Sequence, residues 1–97
     1  MSAIELAPEI AQDVSRILAH LAQFEVQAAD QRLLEIVAAL DILEINPLIG
    51  RPTANDLREL VIGRGSRGYV ALYRYVSEID TVFILAIRSQ REAGYRE

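Results

Sequence analysis

The chain has 97 residues, of which 52% are hydrophobic and 25% charged, and it carries a formal net charge of −4. This length fits one small domain built around a single core. The absence of cysteine excludes a disulfide framework and thiol chemistry, and the acidic balance argues against strong non-specific binding to nucleic acid.

The sequence carries no targeting or membrane signal. No apolar run approaches the roughly 20 residues that cross a bilayer. The N-terminus lacks a basic region followed by an apolar core, so a signal peptide is not indicated. We therefore expect a cytoplasmic protein.

Charges are divided unevenly along the chain. Residues 1–56 carry three Arg against nine Asp and Glu, which gives −6, whereas residues 57–97 carry seven Arg against five acids, which gives +2. All ten basic residues are arginine, a residue that favours bidentate contacts with carboxylate or phosphate. A local basic surface in the second half is compatible with the acidic total.

The first 24 residues predict a strand and a helix. Alternation over Ser2–Leu6 is typical of a short strand. Pro8 followed by Glu9 is typical of a helix start, and the helical spacing of apolar residues continues to about Phe24. The predicted buried face of this amphipathic helix comprises Ile10, Val14, Ile17, Leu18 and Leu21.

A second helix is predicted from about Gln27 to Glu44. The break before it, around Glu25–Gln27, is short, which favours an antiparallel helical hairpin. Asn46-Pro47 ends the helix because proline disfavours helical geometry in the residue before it, and Leu48–Asp56 follows as an ordered connector. The predicted buried stripe comprises Leu33, Ile36, Val37, Leu40 and Leu43, with Ala39 and Ile42 also placed toward the sheet.

The remaining apolar runs predict three strands, Leu57–Gly63, Tyr69–Val76 and Thr81–Arg88, joined as an antiparallel meander. The last run is almost continuously apolar, which suits a central strand. Gly63–Gly68 joins two strands and contains no lysine, so a hairpin connection is a better interpretation than a phosphate-binding loop. The predicted fold class is α+β, in the order β-α-α-β-β-β, with a helical hairpin packed on a small, mainly antiparallel sheet.

Histidine and tyrosine are the remaining candidates for chemistry. His20 is the single histidine and lies on the flank of the first helix's apolar stripe, so we interpret it as a surface residue. With one histidine and no cysteine, a zinc site is excluded by residue count. Tyr69, Tyr73 and Tyr75 share one strand face, and we predict that they cover the sheet or meet a partner protein rather than stack nucleobases.

Several segments resemble the RelE/ParE superfamily of toxins from type II toxin–antitoxin modules. They are the NPLIGRP connector, LRELVIG, GYVALYRY and the LAIRSQREAGY ending, in this order after the β-α-α pattern. The resemblance covers nearly the whole chain. It implies a small toxin held inactive by a cognate antitoxin, ParD-like or similar, whose extended or helical C-terminal segment wraps across the toxin.

The superfamily contains two activities. RelE-like members cleave mRNA in the ribosomal A site without a metal, using Lys and Arg on the sheet and a C-terminal Tyr or His. ParE-like members poison DNA gyrase, and no catalytic residues are ascribed to them. Neither branch implies a cofactor.

Compared residue by residue, the chain fits the nuclease branch poorly. RelE-like enzymes have an arginine directly after the tyrosine of a G-Y-R pattern, whereas this chain reads Gly68-Tyr69-Val70. LRELVIG contains only one basic residue, Arg58, and Ser89 stands where many relatives have histidine. If the chain is a nuclease, its catalytic candidates are Arg67, Arg88, Arg91 and Tyr95.

We therefore expect a ParE-like toxin that acts on DNA gyrase by protein–protein contact. The predicted target contacts are Arg88, Arg91, Glu92 and Tyr95. The predicted antitoxin contacts lie on the tyrosine-bearing sheet and the helical hairpin, at Tyr69, Tyr73, Tyr75, Leu18 and Leu21. Two alternatives stay open: a RelE-like ribosome-dependent mRNA endonuclease, and a degenerate member that survives as a non-toxic binding partner.

Overall fold

Two helices cover one face of a five-stranded sheet in the computed structural model of the chain. The structure describes the backbone of residues 1–24, 29–63 and 68–89, and their side chains apart from those of residues 21–30. The predicted α+β architecture is confirmed. Its elements are β1 (Ala3–Leu6), α1 (Glu9–Phe24), α2 (Ala29–Ile42), β2 (Arg51–Pro52), β3 (Arg58–Ile62), β4 (Tyr69–Val76) and β5 (Thr81–Ser89).

Strand β5 lies in the interior of the sheet, whose order is β1-β5-β4-β3-β2. It pairs antiparallel with β4 and parallel with β1, so the first and last strands of the chain are neighbours. The central position predicted for the continuously apolar last strand is confirmed, as is the antiparallel meander of β3, β4 and β5. The two-residue edge strand β2 falls in the predicted connector and was not expected, because Arg51–Pro52 is too short for a periodicity signal.

A β-bulge interrupts the pairing of β5 with β4. Leu72 pairs with Ala86 and Tyr73 pairs with Ile84, which leaves Leu85 without a counterpart. One extra residue reverses the alternation of side chains beyond it. Ile87, an odd-numbered position, therefore reaches the same buried face as the even-numbered Ile84.

The core lies between the helices and one face of the sheet. Helix α1 contributes Ile10 and Ile17, as its predicted stripe required. The other members are Ile36, Leu40 and Leu43 from the second helical segment, and Ile62, Tyr69, Ala71, Tyr73, Val82, Ile84 and Ile87 from the sheet.

Two residues of α2 that we expected to be buried are exposed. Val37 is 47% exposed and Ile42 is 44% exposed. Ile42 lies on the helix face opposite to Ile36 and Leu40, and Val37 lies at the edge of the buried face. Apolar residues extend around most of α2, so periodicity alone could not mark the limits of its buried face. No helix in the described part of the chain has the length and apolarity that a membrane span requires.

Tyr73 fastens the connector after α2 to the core. Its side chain is fully buried, and its Oη accepts a hydrogen bond of 2.8 Å from the Gly50 N–H. The Arg58 guanidinium secures the same segment by donating to the carbonyl oxygens of Leu48 at 3.1 Å and Gly50 at 2.8 Å. Burial raises the pKa of the Tyr73 phenol, which keeps it neutral beside these groups.

Substituting Gly50 with alanine should destabilise the fold. A Cβ at this position would lie 2.5 Å from Tyr73 Oη and 2.6 Å from Tyr73 Cε1, so the ring or the connector must move. We expect a loss of about 1–3 kcal/mol in the free energy of unfolding, measured by urea denaturation.

The exposed neighbour Thr53, whose side chain makes no cap hydrogen bond, supplies the control. Thr53→Ala should change the free energy of unfolding by less than about 0.5 kcal/mol. Equal stability of Gly50→Ala and the parent chain would show that the connector is not held against Tyr73.

Candidate functional site: the open face of the sheet

The helices leave one face of the sheet uncovered by any other described element, and we refer to it as the open face. Strand register defines its members, because residues paired across neighbouring strands point to the same side. Val61 pairs with Val70, which pairs with Arg88. By the same alternation the open face also carries Glu5, Glu59, Leu72, Arg74, Val76, Phe83 and Ala86.

The middle of the open face is apolar. Val61 is 49% exposed, and Leu72 and Phe83 are half-buried although no described helix lies over them. Val70 is only 5% exposed. A floor of aliphatic and aromatic side chains on an uncovered sheet is typical of a protein-contact surface.

Arginines border this floor. Arg88 is exposed at the end of β5, directly opposite Val70. Arg74 is exposed about four residues further along β4, roughly 13 Å away at the usual strand rise. Its Nη2 donates to the Asn55 carbonyl at 3.2 Å. Two separated guanidinium groups beside an apolar floor suit a partner that presents carboxylates around an apolar patch.

A third arginine at the sheet edge is already paired. Arg51 and Glu59 stand opposite each other in the β2–β3 register, and their side chains form an ion pair of 3.0 Å. Because the Arg51 side chain is 58% exposed, the pair contributes little stability. It does neutralise the charge at this end of the open face.

Helix α1 holds the end of β5 that carries Arg88. The buried Asp13 accepts a hydrogen bond of 3.0 Å from the Ile87 N–H through Oδ2, and one of 3.0 Å from Arg16 through Oδ1. Arg16 also donates to the Ile87 carbonyl at 3.3 Å. The pairing of β1 with β5 ends at Ile84. The side chains of Asp13 and Arg16 therefore bind the backbone groups of Ile87 that a longer β1 would have paired with. Sequence reasoning missed this contact, although a carboxylate among Ile10, Val14 and Ile17 was its signal.

The structure describes only one of the predicted target-contact residues. Arg88 lies on the open face, with an exposed side chain. Arg91, Glu92 and Tyr95 lie outside the described residues, as does Arg67 from the nuclease interpretation.

The tyrosine stripe is not a surface. Tyr69 and Tyr73 belong to the core, on the face of β4 that the helices cover, so our prediction that they offer contacts to an antitoxin is corrected. The alternation along β4 was right, but it could not show which face the helices occupy. Tyr75 and Leu18 are half-buried, and the side chain of Leu21 lies outside the described part of the chain.

Tyr75 takes part in a polar network that joins the turn between β4 and β5 to Ser2, the residue before β1. The hydroxyls of Tyr75 and Ser2 donate to Asp80 Oδ1 at 2.7 and 2.6 Å. Hydrogen bonds from Ser2 and Tyr75 lower the pKa of the Asp80 carboxyl, and the bond to Asp80 raises the pKa of the Tyr75 phenol. The network is structural, since it lies at the turn between β4 and β5.

His20 is distant from the open face in the fold. It is exposed on α1, within the layer that covers the other side of the sheet. The described ionisable residues of the open face are therefore arginines and glutamates. This set can bind charged groups but contains no histidine for proton transfer near neutral pH.

Comparison with known proteins identifies relatives over almost the full chain. A family model described as the ParE toxin of the type II toxin–antitoxin system parDE matches residues 4–94. The chain is also 30% identical over 92 residues to a protein named Toxin RelE3 from Caulobacter vibrioides, a match that covers 95% of this chain and 98% of the relative.

Solved structures share the fold. A chain of the chromosomal ParDE system from P. aeruginosa matches with a TM-score of 0.77 and 22% identity, over 92% of this chain and 96% of that one. The isolated E. coli RelE toxin matches with a TM-score of 0.61 and 13% identity, over 92% and 84% of the two chains. At these identities the likeness concerns the fold alone.

Removing the Asp13 carboxylate should loosen the end of β5. In Asp13→Ala the buried Ile87 N–H loses its acceptor, which should cost about 1–3 kcal/mol in the free energy of unfolding. Asp13→Asn, which retains an acceptor oxygen, should lose less. Urea denaturation measures the loss, and faster hydrogen exchange of the Ile87 amide localises it. Gln12→Ala, at an exposed neighbouring position, is the control, and unchanged Ile87 exchange in Asp13→Ala would contradict this role.

The network around Asp80 should make stability depend on pH at both extremes. A carboxyl with a lowered folded pKa adds stability above its unfolded pKa, near 3.8, and loses it as pH falls through the folded value. A phenol with a raised folded pKa adds stability below about 10 and loses it as pH rises through the folded value.

Asp80→Asn tests this directly, because asparagine also tolerates the left-handed backbone at this position, where φ is 47°. The stability difference between the parent chain and Asp80→Asn should be largest between these limits and shrink in acid. Asp41→Asn, at an exposed position on α2, controls for the charge change alone. A difference that stays constant from neutral pH to pH 3 would contradict the assignment.

Proposed function

This chain belongs to the ParE family of toxins from type II toxin–antitoxin systems, and we propose that it acts by binding DNA gyrase through the open face of its sheet and the segment that follows. A cognate antitoxin neutralises it in this proposal. The resemblance of the sequence to the ParE branch supplies the target, and the composition of the open face supports it.

Val70 is the observation that carries the proposal. Nuclease-type relatives have an arginine directly after the tyrosine that corresponds to Tyr69. Here that position is an aliphatic side chain, 5% exposed and paired with Arg88. The middle of the open face therefore lacks the arginine that a nuclease would use to stabilise the charge of the scissile phosphate.

The charge of the chain supports the same conclusion. It contains no lysine and carries a net charge of −4. A toxin that acts on the ribosome must approach dense phosphate groups, and an acidic chain is attracted to them only weakly. Binding to a protein target does not require a basic toxin. The apolar floor around Val61 and Leu72 offers a partner protein hydrophobic area to bury.

The antitoxin is proposed to contact the helical hairpin and the sheet. Of the predicted antitoxin contacts, Tyr75 and Leu18 are half-buried in the described structure and so keep some surface for a partner. Leu21 stays in the proposal from its helical spacing. Tyr69 and Tyr73 leave the proposal because the core already covers them.

A RelE-like ribosome-dependent nuclease is the second candidate. The relative named Toxin RelE3, 30% identical over 92 residues, favours it, and Arg88 would serve as its cation on the open face. Cuts within codons on translating ribosomes would then depend on this chain, with Arg67, Arg91 and Tyr95 as the further catalytic candidates.

The gyrase proposal is tested with the full chain purified away from its antitoxin. We expect double-strand cleavage of plasmid DNA by purified gyrase to accumulate with toxin concentration and to disappear when antitoxin is added. Arg88→Ala should reduce this activity about tenfold or more, since a contact arginine at an interface is commonly worth over 1 kcal/mol. Combined Arg91→Ala and Tyr95→Ala should relieve toxicity while antitoxin binding persists.

Arg32→Ala is the matched control, because it removes one arginine from α2, where Arg32 pairs with Glu35 at 3.4 Å. It should leave gyrase poisoning unchanged. A chain that kills cells without affecting gyrase would instead direct the search to ribosome-bound mRNA. Normal growth on expression of the chain alone would indicate the non-toxic binding partner.

A further inference from the structure

A cavity lies between the turn that joins β2 to β3 and the end of β4, and we call it the turn cavity. Strand β3 begins at Arg58, opposite Tyr73, whereas β4 continues to Val76. The turn at residues 53–57 therefore stands beside the end of β4, where a longer β3 would have paired. The space has a volume of about 380 Å³, within the roughly 300–1,000 Å³ that ligand pockets occupy.

The turn cavity combines charges of both signs with apolar area. Its lining includes the cations Arg58 and Arg74 and the acids Asp56 and Glu78. Leucine and valine side chains from the end of the turn and the end of β4 supply apolar wall, and both are half-buried. The cavity therefore offers hydrogen-bond donors, hydrogen-bond acceptors and apolar area to one ligand.

The two arginines reach the turn cavity from opposite faces of the sheet. Arg58 lies on the face that the helices cover, and its Nη1 donates to two carbonyl groups of the connector at 3.1 and 2.8 Å. Arg74 lies on the open face, and its Nη2 donates to the Asn55 carbonyl at 3.2 Å. In the described part of the chain these bonds engage one nitrogen of each guanidinium. The groups are thus held in place with N–H donors left for a ligand.

The opposite charges around the turn cavity do not pair with one another. Among the described residues, Arg58 and Arg74 form no ion pair with Asp56 or Glu78, although all four border the same space. Their separation leaves both signs to be satisfied from outside. A ligand that carries a carboxylate together with N–H donors can satisfy both.

The turn that forms one wall of the cavity has a strained backbone. Asn55 and Asp56 are consecutive residues in the left-handed region, with φ of 63° and 60°. Hydrogen bonds close the turn, since the Thr53 N–H donates to the Leu57 carbonyl at 2.8 Å and the Leu57 N–H donates to the Ala54 carbonyl at 3.3 Å. The wall is therefore formed before a ligand arrives, which reduces the entropy lost on binding.

We propose that the turn cavity receives an acidic peptide segment of the target protein. One carboxylate of the segment binds between the two guanidinium groups, an aliphatic neighbour packs on the apolar wall, and peptide N–H groups donate to the two lining carboxylates. The four charges of the lining sum to zero. A peptide with a single carboxylate suits this balance better than a phosphate dianion, which the lining carboxylates repel.

The turn cavity and the open face form a continuous surface, and this continuity is our reason for choosing the target protein as the partner. Arg74 and Val76 belong to both. A protein that covers the open face at Arg74 therefore meets the mouth of the cavity. The choice of partner rests on the proposed function, whereas the chemistry of the cavity does not.

An NMR titration of the antitoxin-free full chain with the peptide acetyl-Leu-Glu-Leu-amide tests this chemistry. We expect saturable shifts of the backbone amides of residues 53–58 and 74–78 at roughly millimolar peptide, as a small and partly open contact provides. Binding should weaken as salt rises. Acetyl-Leu-Gln-Leu-amide, which lacks the charge, should bind about tenfold more weakly, and inorganic phosphate should leave these amides unshifted.

Thr53→Glu and Thr53→Gln form a matched pair of variants. Thr53 is exposed at the cavity, and its side chain makes no cap hydrogen bond. Glutamate adds a third carboxylate to the lining and should weaken binding of the acidic peptide about tenfold or more. Glutamine has the same size without the charge and should retain most of the affinity. Circular dichroism verifies that both variants fold.

The same pair tests the choice of partner. Thr53→Glu should poison purified gyrase about tenfold less than Thr53→Gln, while both variants bind the antitoxin equally. A parent chain that binds the acidic peptide without poisoning gyrase would overturn the proposed function and this partner, and the ligand chemistry of the cavity would stand.

Three peptide results would overturn the cavity's chemistry: no saturable shift at residues 53–58 and 74–78, equal affinity for the two peptides, or phosphate binding at the same amides. Full gyrase poisoning by a Thr53→Glu variant that has lost the peptide would exclude the target protein as the occupant. If that variant has also lost antitoxin affinity, the cavity belongs to the antitoxin and the proposal is wrong.

Discussion

The bulge at Leu85 is the constraint on which the two faces of the sheet depend. Before it, Val82 and Ile84 point into the core, and after it Ile87 does so as well. Without the extra residue, Ile87 would lie on the open face and the charge of Arg88 would be buried among apolar side chains. The hydrogen bond from the Ile87 N–H to Asp13 follows directly after the bulge and binds this end of the strand to α1. A local irregularity thus decides where the arginine of the candidate site can be.

The bulge determines which face of the sheet meets the helices. The two buried tyrosines of β4 lie on that face, so they contribute to stability and not to partner binding. Tyr73 is buried opposite Ile84, and its hydroxyl reaches the Gly50 N–H in the connector. The connector therefore passes close against the core, and its next residues pair with β3 as the short edge strand β2. Pro52 in that strand lacks an N–H to offer a further strand, which limits pairing at this edge. Recognition is left to the opposite face and to the outside of the helices.

Much of the fold could be predicted because its signals are local. The spacing of Ile10 and Ile17 identified α1, and the uninterrupted apolar run of β5 placed it inside the sheet. The positions of Tyr69 and Tyr73 could not be predicted, because alternation divides a strand into two faces without saying which one the helices cover. For α2 the difficulty was the reverse, since Val37 and Ile42 are as apolar as the residues of the buried face. The role of Asp13 depends on a hydrogen bond to a residue 74 positions away in the chain, which no local pattern contains.

The helical layer and the open face differ in charge, and this difference affects which partners each can attract. Both helices lie in residues 1–56, which carry −6, while the open face presents Arg74 and Arg88 from the second half of the chain. Long-range attraction therefore guides acidic surfaces to the sheet and away from the helices. A contact on the open face therefore gains both from this field and from burial of the apolar floor around Val61 and Leu72.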